Sequence, residues 1–200
     1  MTHLFRILAL WAFAWPISCF GQGTFRITFD GPPPQPTNSD YTLQNYYEGG
    51  MWFRPLQGSA GFGRTGGGLT SLFPYDGSPY LHGAFGDSLA FSFQTGSLFG
   101  VFSVDLAGYS TVVPDFTVDF VGYRSDGSTI STSFSGNGID FRTVNFGPDW
   151  SSGLTRVEIP NYGWSLDNLV VSIPEPSAGA LVLVGTLAFG FWRMKKEKIP

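Results

Sequence analysis

The chain has a single cysteine, Cys19, and none after Gly21. A disulfide framework is therefore excluded for residues 22–173, whatever the redox state of their compartment. The same segment has no lysine and one histidine, His82. A Cys/His metal cluster or a Cys/His nucleophile system cannot be assembled from it. Since no GxSxG sequence is present either, carboxylates are the remaining candidates for catalysis.

Good helix formers are also scarce in residues 22–173, where Ala, Lys, Glu and Leu give way to Phe, Val, Thr, Tyr, Ser and Gly. That composition is typical of strands and tight turns, and no long amphipathic helical pattern is present. We therefore predict an all-β fold, an antiparallel β-sandwich or jelly roll. The predicted strands are residues 24–30, 51–56, 88–94, 98–106, 116–123, 129–134, 141–146, 154–159 and 165–171.

Turn signals separate these strands. Asp126-Gly127 predicts a two-residue hairpin between the strands at 116–123 and 129–134. Residues 58–68 are predicted to form a flexible, glycine-dense loop. The GxGxxG match inside it, Gly61–Gly66, lacks the following helix that a pyrophosphate site needs. Alternating apolar positions predict a core that includes Phe91, Phe93, Val101, Val104, Phe116, Val118 and Phe120.

The first 21 residues have the order of parts found in a secretory signal peptide. Arg6 supplies a positive charge before the uncharged apolar run Ile7–Trp15, and a proline then precedes the small residues Ser18, Cys19 and Gly21. We predict cleavage after Gly21 by signal peptidase. A buried N-terminal helix is one alternative, although this run has no polar face. A lipoprotein signal ending at Cys19 is another, which Pro16 disfavours because an aliphatic residue is expected there.

Three elements follow one another near the C-terminus. They are Pro174-Glu175-Pro176, the uncharged apolar run Ala178–Trp192, and a basic tail with Arg193, Lys195, Lys196 and Lys198. At 1.5 Å per residue the run is short for a hydrocarbon core of about 30 Å. A buried core helix, however, would not be bounded by prolines on one side and cations on the other. We predict one short C-terminal transmembrane helix over 178–192, with the basic tail in the cytoplasm and residues 22–173 beyond the inner membrane.

This ordered triad resembles the PEP-CTERM sorting domain, and the resemblance covers Pro174–Pro200. It implies that the chain is the substrate of an exosortase, a membrane-embedded transpeptidase-like enzyme. Pro174, Glu175 and Pro176 would be the sorting motif, and the stop-transfer tail would begin at Arg193. The resemblance also implies a Gram-negative host that makes an exopolysaccharide matrix or biofilm. Many passengers of this family are similar to the jelly rolls of carbohydrate-binding modules and lectins, a likeness of architecture alone.

Residues 22–173 are more acidic than the chain as a whole. Six arginines against eleven aspartates and two glutamates give a net charge of −7, and the basic tail raises the whole chain to −4. An acidic surface repels nucleic acid and anionic lipid, so we expect no nucleic-acid partner. Solubility outside the cell is the simplest explanation of this charge, although aspartate oxygens are also the ligands that divalent cations prefer.

Calcium is the one cofactor that the sequence indicates, as a structural ion at Asp30 and Asp167. Asp30 ends the first predicted strand, and Asp167 lies in the last. In jelly rolls those strands often pair, which would bring the two carboxylates together with nearby carbonyl oxygens. The alternative is that Asp30 caps a turn while Asp167 satisfies backbone groups at the start of a strand.

Aromatic residues are concentrated around residues 41–53, in sequence that otherwise looks irregular. Exposed Trp and Tyr rings stack on sugar rings, so these aromatic side chains are candidates for glycan contact. The candidate positions are Tyr46, Tyr47 and Trp52 in this stretch, with Trp150 and Trp164 as further candidates outside it. Burial in the core is the alternative for each of them.

These observations favour a non-enzymatic protein of the cell envelope or extracellular matrix, sorted by an exosortase and associated with exopolysaccharide. One alternative is a structural biofilm matrix protein without a specific ligand. Another is a divergent glycan-active enzyme, for which Glu48 and Glu158 would be the acid and the nucleophile. Nothing in the sequence brings those two glutamates together, so we assign no catalytic residue.

Overall fold

The computed structural model describes residues 23–32, 39–59, 61–66, 71–84 and 86–173. This part of the chain contains thirteen strands and one 3₁₀ turn, Pro148–Trp150, and residues Thr24–Ile173 form one compact unit. In chain order the strands are β1 (Gly23–Ile27), β2 (Asp40–Leu43), β3 (Tyr46–Glu48), β4 (Met51–Arg54), β5 (Phe62–Thr65), β6 (Tyr80–Gly83), β7 (Leu89–Phe93), β8 (Gly100–Gly108), β9 (Asp115–Arg124), β10 (Thr129–Asn137), β11 (Arg142–Asn145), β12 (Leu154–Ile159) and β13 (Trp164–Ile173).

The strands form two sheets that enclose a single core. Sheet A has the order β11-β8-β13-β6-β5-β2, and β1 also pairs with β13. Sheet B has the order β10-β9-β12-β7-β4-β3. Neighbours along both paths are antiparallel. The predicted all-β antiparallel sandwich is confirmed, while the finer jelly-roll assignment stays a prediction.

The core follows from the two-residue period of the strands. In β7, Leu89, Phe91 and Phe93 point inward and are buried, whereas Ala90 and Ser92 point outward. All seven residues predicted for the core are buried, the most exposed being Phe116 at 8%. Full burial of each such side chain contributes about 1.5–3 kcal/mol to the free energy of unfolding.

Between the predicted strands at 24–30 and 88–94 the sequence predicts a single strand, 51–56, whereas the described part of the chain has four short strands there besides β4. They are β2, β3, β5 and β6. The prediction of a flexible loop over 58–68 is wrong at Phe62–Thr65, because these residues form β5, which is fully buried between β2 and β6. A strand forms here despite the glycines because Gly63 has no side chain, which leaves space beside β5 for the ring of His82 on the paired strand β6.

The hairpin predicted at Asp126-Gly127 is confirmed, but its loop is longer than predicted. Gly127 N donates to Arg124 O at 3.1 Å, Arg124 N donates to Ser128 O at 2.9 Å, and Gly127 has a φ of 85°. This is a type I turn followed by a left-handed glycine, which makes a three-residue loop rather than a two-residue turn with positive φ at both positions.

No helix within the described residues is long and apolar enough to cross a membrane. The predicted signal peptide (1–21), sorting motif (174–176), transmembrane segment (178–192) and basic tail all lie outside the described residues.

Candidate functional site

The outer face of sheet B carries a groove, and the register of three neighbouring strands builds it. Trp52 on β4 pairs with Ser92 on β7, and Arg54 pairs with Ala90. Ala90 pairs on its other side with Glu158 of β12. The small side chains of β7 therefore form a floor between two lines of large ones. Two strand spacings separate these walls, a distance of about 10 Å.

The sheet B groove is an open cavity of about 530 Å³. Beside the floor and walls, the chain that continues from β4 encloses it on one side. The complete lining is Trp52, Arg54, Pro55, Leu56, Gln57, Ala90, Ser92, Arg156 and Glu158. A ligand in this groove would meet an aromatic ring, two guanidinium groups, one carboxylate and a hydroxyl group.

Hydrogen bonds hold one wall of the groove in place. Glu158 Oε2 accepts from the Tyr123 hydroxyl at 2.7 Å, and Glu158 Oε1 lies 3.0 Å from Arg156 Nη2. The guanidinium of Arg156 also lies 4.3 Å from the centre of the Tyr123 ring. The hydrogen bond to Glu158, together with some desolvation, raises the pKa of Tyr123 above its ordinary value. Tyr123, which is protonated at neutral pH in any case, therefore keeps donating to Glu158 in more alkaline solution as well.

Stacked rings hold the opposite wall. The ring of Trp52 lies 5.2 Å from that of Tyr47, its cross-strand partner on β3. The guanidinium of Arg54 lies 4.7 Å from the Trp52 ring, close enough for a cation–π contact. Tyr47 is 42% exposed and Trp52 is half-buried, so this wall offers aromatic surface to a ligand.

The structure separates the five residues predicted for glycan contact into two groups. Tyr47 and Trp52 belong to the exposed wall described above. Tyr46, Trp150 and Trp164 are 2%, 4% and 0% exposed, so the prediction of glycan contact is wrong for these three. The reason is the alternation of faces. Tyr46 pairs with the inward-facing Phe53, and Trp164 lies in the core with its Nε1 donating to Asn161 O at 2.7 Å.

The two glutamates considered for glycoside cleavage do not meet. Glu48 pairs with the inward-facing Met51 and accepts from the Tyr46 hydroxyl at 2.7 Å and from Thr28 N at 3.3 Å. Glu158 lies three strands away on the outer face. Glycosidase carboxyl pairs are about 5–9.5 Å apart, which two opposite faces at this strand separation do not allow. The pairing considered from the sequence is therefore wrong.

The two aspartates predicted for calcium lie in different environments. Asp30 is exposed, and the carbonyl groups of its neighbours Phe29 and Gly31 accept from the buried guanidinium of Arg64, at 2.9 Å from Nε and 2.8 Å from Nη2. Asp167 is fully buried and contacts Ser78 and Asp76. No group of three or more His, Cys, Asp or Glu side chains in the described ranges is placed to hold a metal ion. Calcium stays a prediction.

A second polar cluster lies on the outer face of sheet A. His82 Nε2 donates to Asp40 Oδ1 at 2.8 Å, and its Nδ1 is buried without a hydrogen-bond partner. The Tyr109 and Tyr80 rings pack against the imidazole, with centroids at 5.2 Å and 6.3 Å. Burial, followed by the charge of Asp40, raises the pKa of both tyrosines. His82 is 6% exposed, so this cluster offers little surface to a ligand.

Sequence reasoning missed the charged and small residues of the groove. Arg54, Arg156 and the floor residues Ala90 and Ser92 are not among its candidates. These residues could be identified from the outward-facing positions of each strand. Trp52 and Arg54 share the outer face of β4, and Arg156 and Glu158 share the outer face of β12. Strand order is needed to see that β7 lies between them, and no single segment contains that information.

No protein-family model matches the chain, and no curated protein matches it. Six solved chains are similar to it, and three of these, all at low identity, are as follows. The first is a GH26-CBM35 β-(1,4)-mannanase from Podospora anserina, at 14% identity and a TM-score of 0.33, over 69% of this chain and 28% of that one.

The other two structures come from xylanase 10B of Clostridium thermocellum. One contains its CBM22-1 and GH10 modules with xylohexaose, at 10% identity and a TM-score of 0.34, over 76% of this chain and 28% of that one. The other is its C-terminal family 22 carbohydrate-binding module, at 10% identity and a TM-score of 0.35, over 76% of this chain and 92% of that one. All three TM-scores lie below 0.5, so these likenesses carry no conclusion about a ligand of this chain.

Proposed function

We propose that this chain is an exported, non-enzymatic envelope protein whose sandwich binds extracellular polysaccharide in the sheet B groove. The observation that carries the proposal is the groove itself, with an aromatic wall at Trp52 and fixed polar groups at Arg156 and Glu158 around a floor of small residues. A pyranose ring has apolar C–H faces and a rim of hydroxyl groups. Aromatic surface matches the faces, and charged hydrogen-bonding groups match the rim.

Binding fits the groove better than catalysis does. Glu158 is the one carboxylate that lines it, and both of its oxygen atoms already have partners in Tyr123 and Arg156. A hydrolase needs a second carboxyl group at a defined distance, and Glu48 lies on the opposite face of the sheet. A carboxylate with fixed partners is suited to accepting hydrogen bonds from sugar hydroxyl groups.

The cellular part of the proposal rests on the two ends of the chain. We propose export through the signal peptide at 1–21, an inner-membrane intermediate held by residues 178–192, and processing by an exosortase at Pro174-Glu175-Pro176. The mature protein would then lie in the envelope or extracellular matrix of a Gram-negative bacterium. This part follows from the resemblance of the C-terminus to PEP-CTERM domains and from the order of the N-terminal segment.

The test of ligand binding is affinity electrophoresis of the full-length chain, in non-ionic detergent, through gels that contain neutral or anionic polysaccharides. We expect at least one polysaccharide to retard the protein. Trp52→Ala should weaken that binding about tenfold, which corresponds to about 1.4 kcal/mol. Tyr41→Ala is the matched control, because Tyr41 is an exposed aromatic residue on β2 of sheet A. If no polysaccharide retards the wild-type protein, the alternative of a matrix protein without a specific ligand replaces this proposal.

A further inference from the structure

The arginines of residues 22–173 are few, and they are unevenly placed. The segment has six of them and no lysine against thirteen acidic residues. Two of the six, Arg54 and Arg156, line the sheet B groove. The groove lining contains one acidic residue, Glu158, so its formal charge is +1 in a segment whose net charge is −7. The groove is thus a local cationic site on an acidic protein.

The other arginines have different surroundings. Arg64 is 1% exposed and holds the carbonyl groups of Phe29 and Gly31. Arg124 donates to Asp149 O at 2.8 Å. Arg26 and Arg142 are exposed on β1 and β11 of sheet A. Positive charge is therefore concentrated in the groove and is not a general feature of the surface of residues 22–173.

Arg54 is the guanidinium available to an anion. Its contact in the structure is the ring of Trp52, at 4.7 Å, and within the described ranges it forms no ion pair. Contact with the indole restricts the position of the guanidinium while its N–H donors remain available. Arg156 differs, because Glu158 already neutralises its charge at 3.0 Å. The planar guanidinium of Arg54, with its paired N–H donors, matches the geometry of a carboxylate or sulfate group.

A neutral polysaccharide would leave this charge without a partner. Covering Arg54 with an uncharged sugar removes water from the guanidinium and supplies no opposite charge, which costs free energy. An anionic sugar offsets that cost with charge-assisted hydrogen bonds. The net charge of −7 repels any polyanion at long range, but salt screens that repulsion beyond about 8 Å, whereas a contact with Arg54 is little screened. We propose that the ligand of the sheet B groove is an anionic polysaccharide, bearing carboxylate or sulfate groups, and that Arg54 pairs with those groups. This inference rests on the proposed function.

The test compares matched polysaccharides that differ in charge. The full-length chain in non-ionic detergent is assayed by affinity electrophoresis against polyuronates, alginate and polygalacturonate, and against the same polymers with their carboxyl groups reduced. Dextran sulfate and dextran form the second pair. We expect the charged member of at least one pair to bind ten times more tightly than its neutral member. The carboxylate and sulfate pairs identify which anion the groove prefers.

Three variants connect that preference to Arg54. Arg54→Gln should remove most of the tenfold ratio, whereas Arg54→Lys should keep part of it, because lysine retains the charge and loses the fork. Arg142→Gln is the matched control, an exposed arginine outside the groove, and it should keep the full ratio. Thermal unfolding of each variant checks that the fold is unchanged.

The contrary outcomes are distinct. If the neutral members bind as tightly as the charged ones and Trp52→Ala weakens binding of both about tenfold, the charge inference fails while polysaccharide binding stands. If Arg54→Gln weakens the binding of the charged and the neutral polysaccharide of a pair equally, the charge inference is also overturned, because Arg54 would then act by packing or neutral hydrogen bonding. If neither member of any pair binds, the inference and the proposed function fail together.

Discussion

Asp167 is a buried carboxyl group at a break in a strand. It lies on β13 just before a register shift, where Asn168 has a φ of 50° and donates its N–H to Asp167 Oδ1 at 2.6 Å. Ser78 Oγ lies 2.9 Å from Asp167 Oδ2, and the carboxyl group of Asp76 is a further neighbour. Burial, and then hydrogen bonding and repulsion from Asp76, raise the pKa of Asp167 from 3.8 to about 9.

This pKa makes stability depend on pH. In the unfolded chain Asp167 loses its proton near pH 3.8, whereas in the folded protein it keeps that proton until about pH 9. Between these limits the folded state binds the extra proton, so the free energy of unfolding falls as pH rises, by at most about 1.4 kcal/mol per pH unit. We expect urea denaturation to show lower stability at pH 8 than at pH 5, and Asp167→Asn to remove most of that difference.

Asp140→Asn is the control for the pH measurement, because Asp140 is exposed and the variant should keep the wild-type slope. A calcium ion at Asp167 would reverse the sign, since a metal ligand must be deprotonated to bind. The denaturation series is therefore run in chelator and again with calcium. Stability that rises with pH in chelator would contradict the protonated carboxyl group, and such a rise in calcium alone would support the metal.

At the scale of strands, one glycine determines how β5 and β6 fit together. Gly63 pairs with His82, and a Cβ atom on Gly63 would lie 1.9 Å from His82 Cε1. The imidazole thus occupies the space that a side chain on β5 would need, and it crosses that strand to reach Asp40 on β2. The packing of β2, β5 and β6 therefore depends on position 63 having no side chain.

Gly63→Ala should therefore destabilise the protein by about 1–3 kcal/mol, the usual cost of overpacking. The same change should cost much less in a His82→Ala background, because the ring that it displaces is gone. Urea denaturation of the four proteins measures the coupling, which we expect to be at least about 1 kcal/mol. Gly147→Ala is the control, since its Cβ would meet nothing within 4 Å and its φ is −70°. An equal cost in both backgrounds would contradict this account of the strand pair.

The same glycine shows where prediction from sequence stops. Leu89–Phe93, for example, alternates clearly and lies within the predicted strand 88–94. Phe62–Thr65 has no alternation to detect, because one of its positions is filled by a residue from another strand. Short strands of this kind are recognised only once their partners are known.

The candidate site was predictable to a similar extent. Aromatic density pointed to Tyr47 and Trp52, which do line or flank the groove. It points equally to Tyr46, which is buried, because adjacent positions on a strand face opposite sides and composition does not say which side is buried. The charged wall at Arg156 required the order of β4, β7 and β12, which is a tertiary property.

At the scale of the molecule, the sandwich presents two outer faces with different chemistry. The rings of Tyr80, Tyr109 and Phe141 pack over the polar face of sheet A, where His82 and Asp167 are buried. Sheet B has an open groove instead. Without a cysteine after Gly21, the structure depends on its buried core rather than on cross-links. Rings therefore cover the polar residues described on the sheet A face, whereas the sheet B groove is open to a ligand.

If both ends of the chain are sorting signals, the sandwich reaches its destination without them. We expect the intact mass of the protein recovered from its native host's envelope to lack residues 1–21 and everything beyond the Pro174 region. The reason is that signal peptidase would act after Gly21 and the exosortase near Pro174-Glu175-Pro176. Changing these three residues to alanine should leave the N-terminal cleavage intact and retain the C-terminal segment. A wild-type mass that includes residues 178–192 would mean a plain single-span anchor, and a triple-alanine variant processed like the wild type would remove the motif from the mechanism.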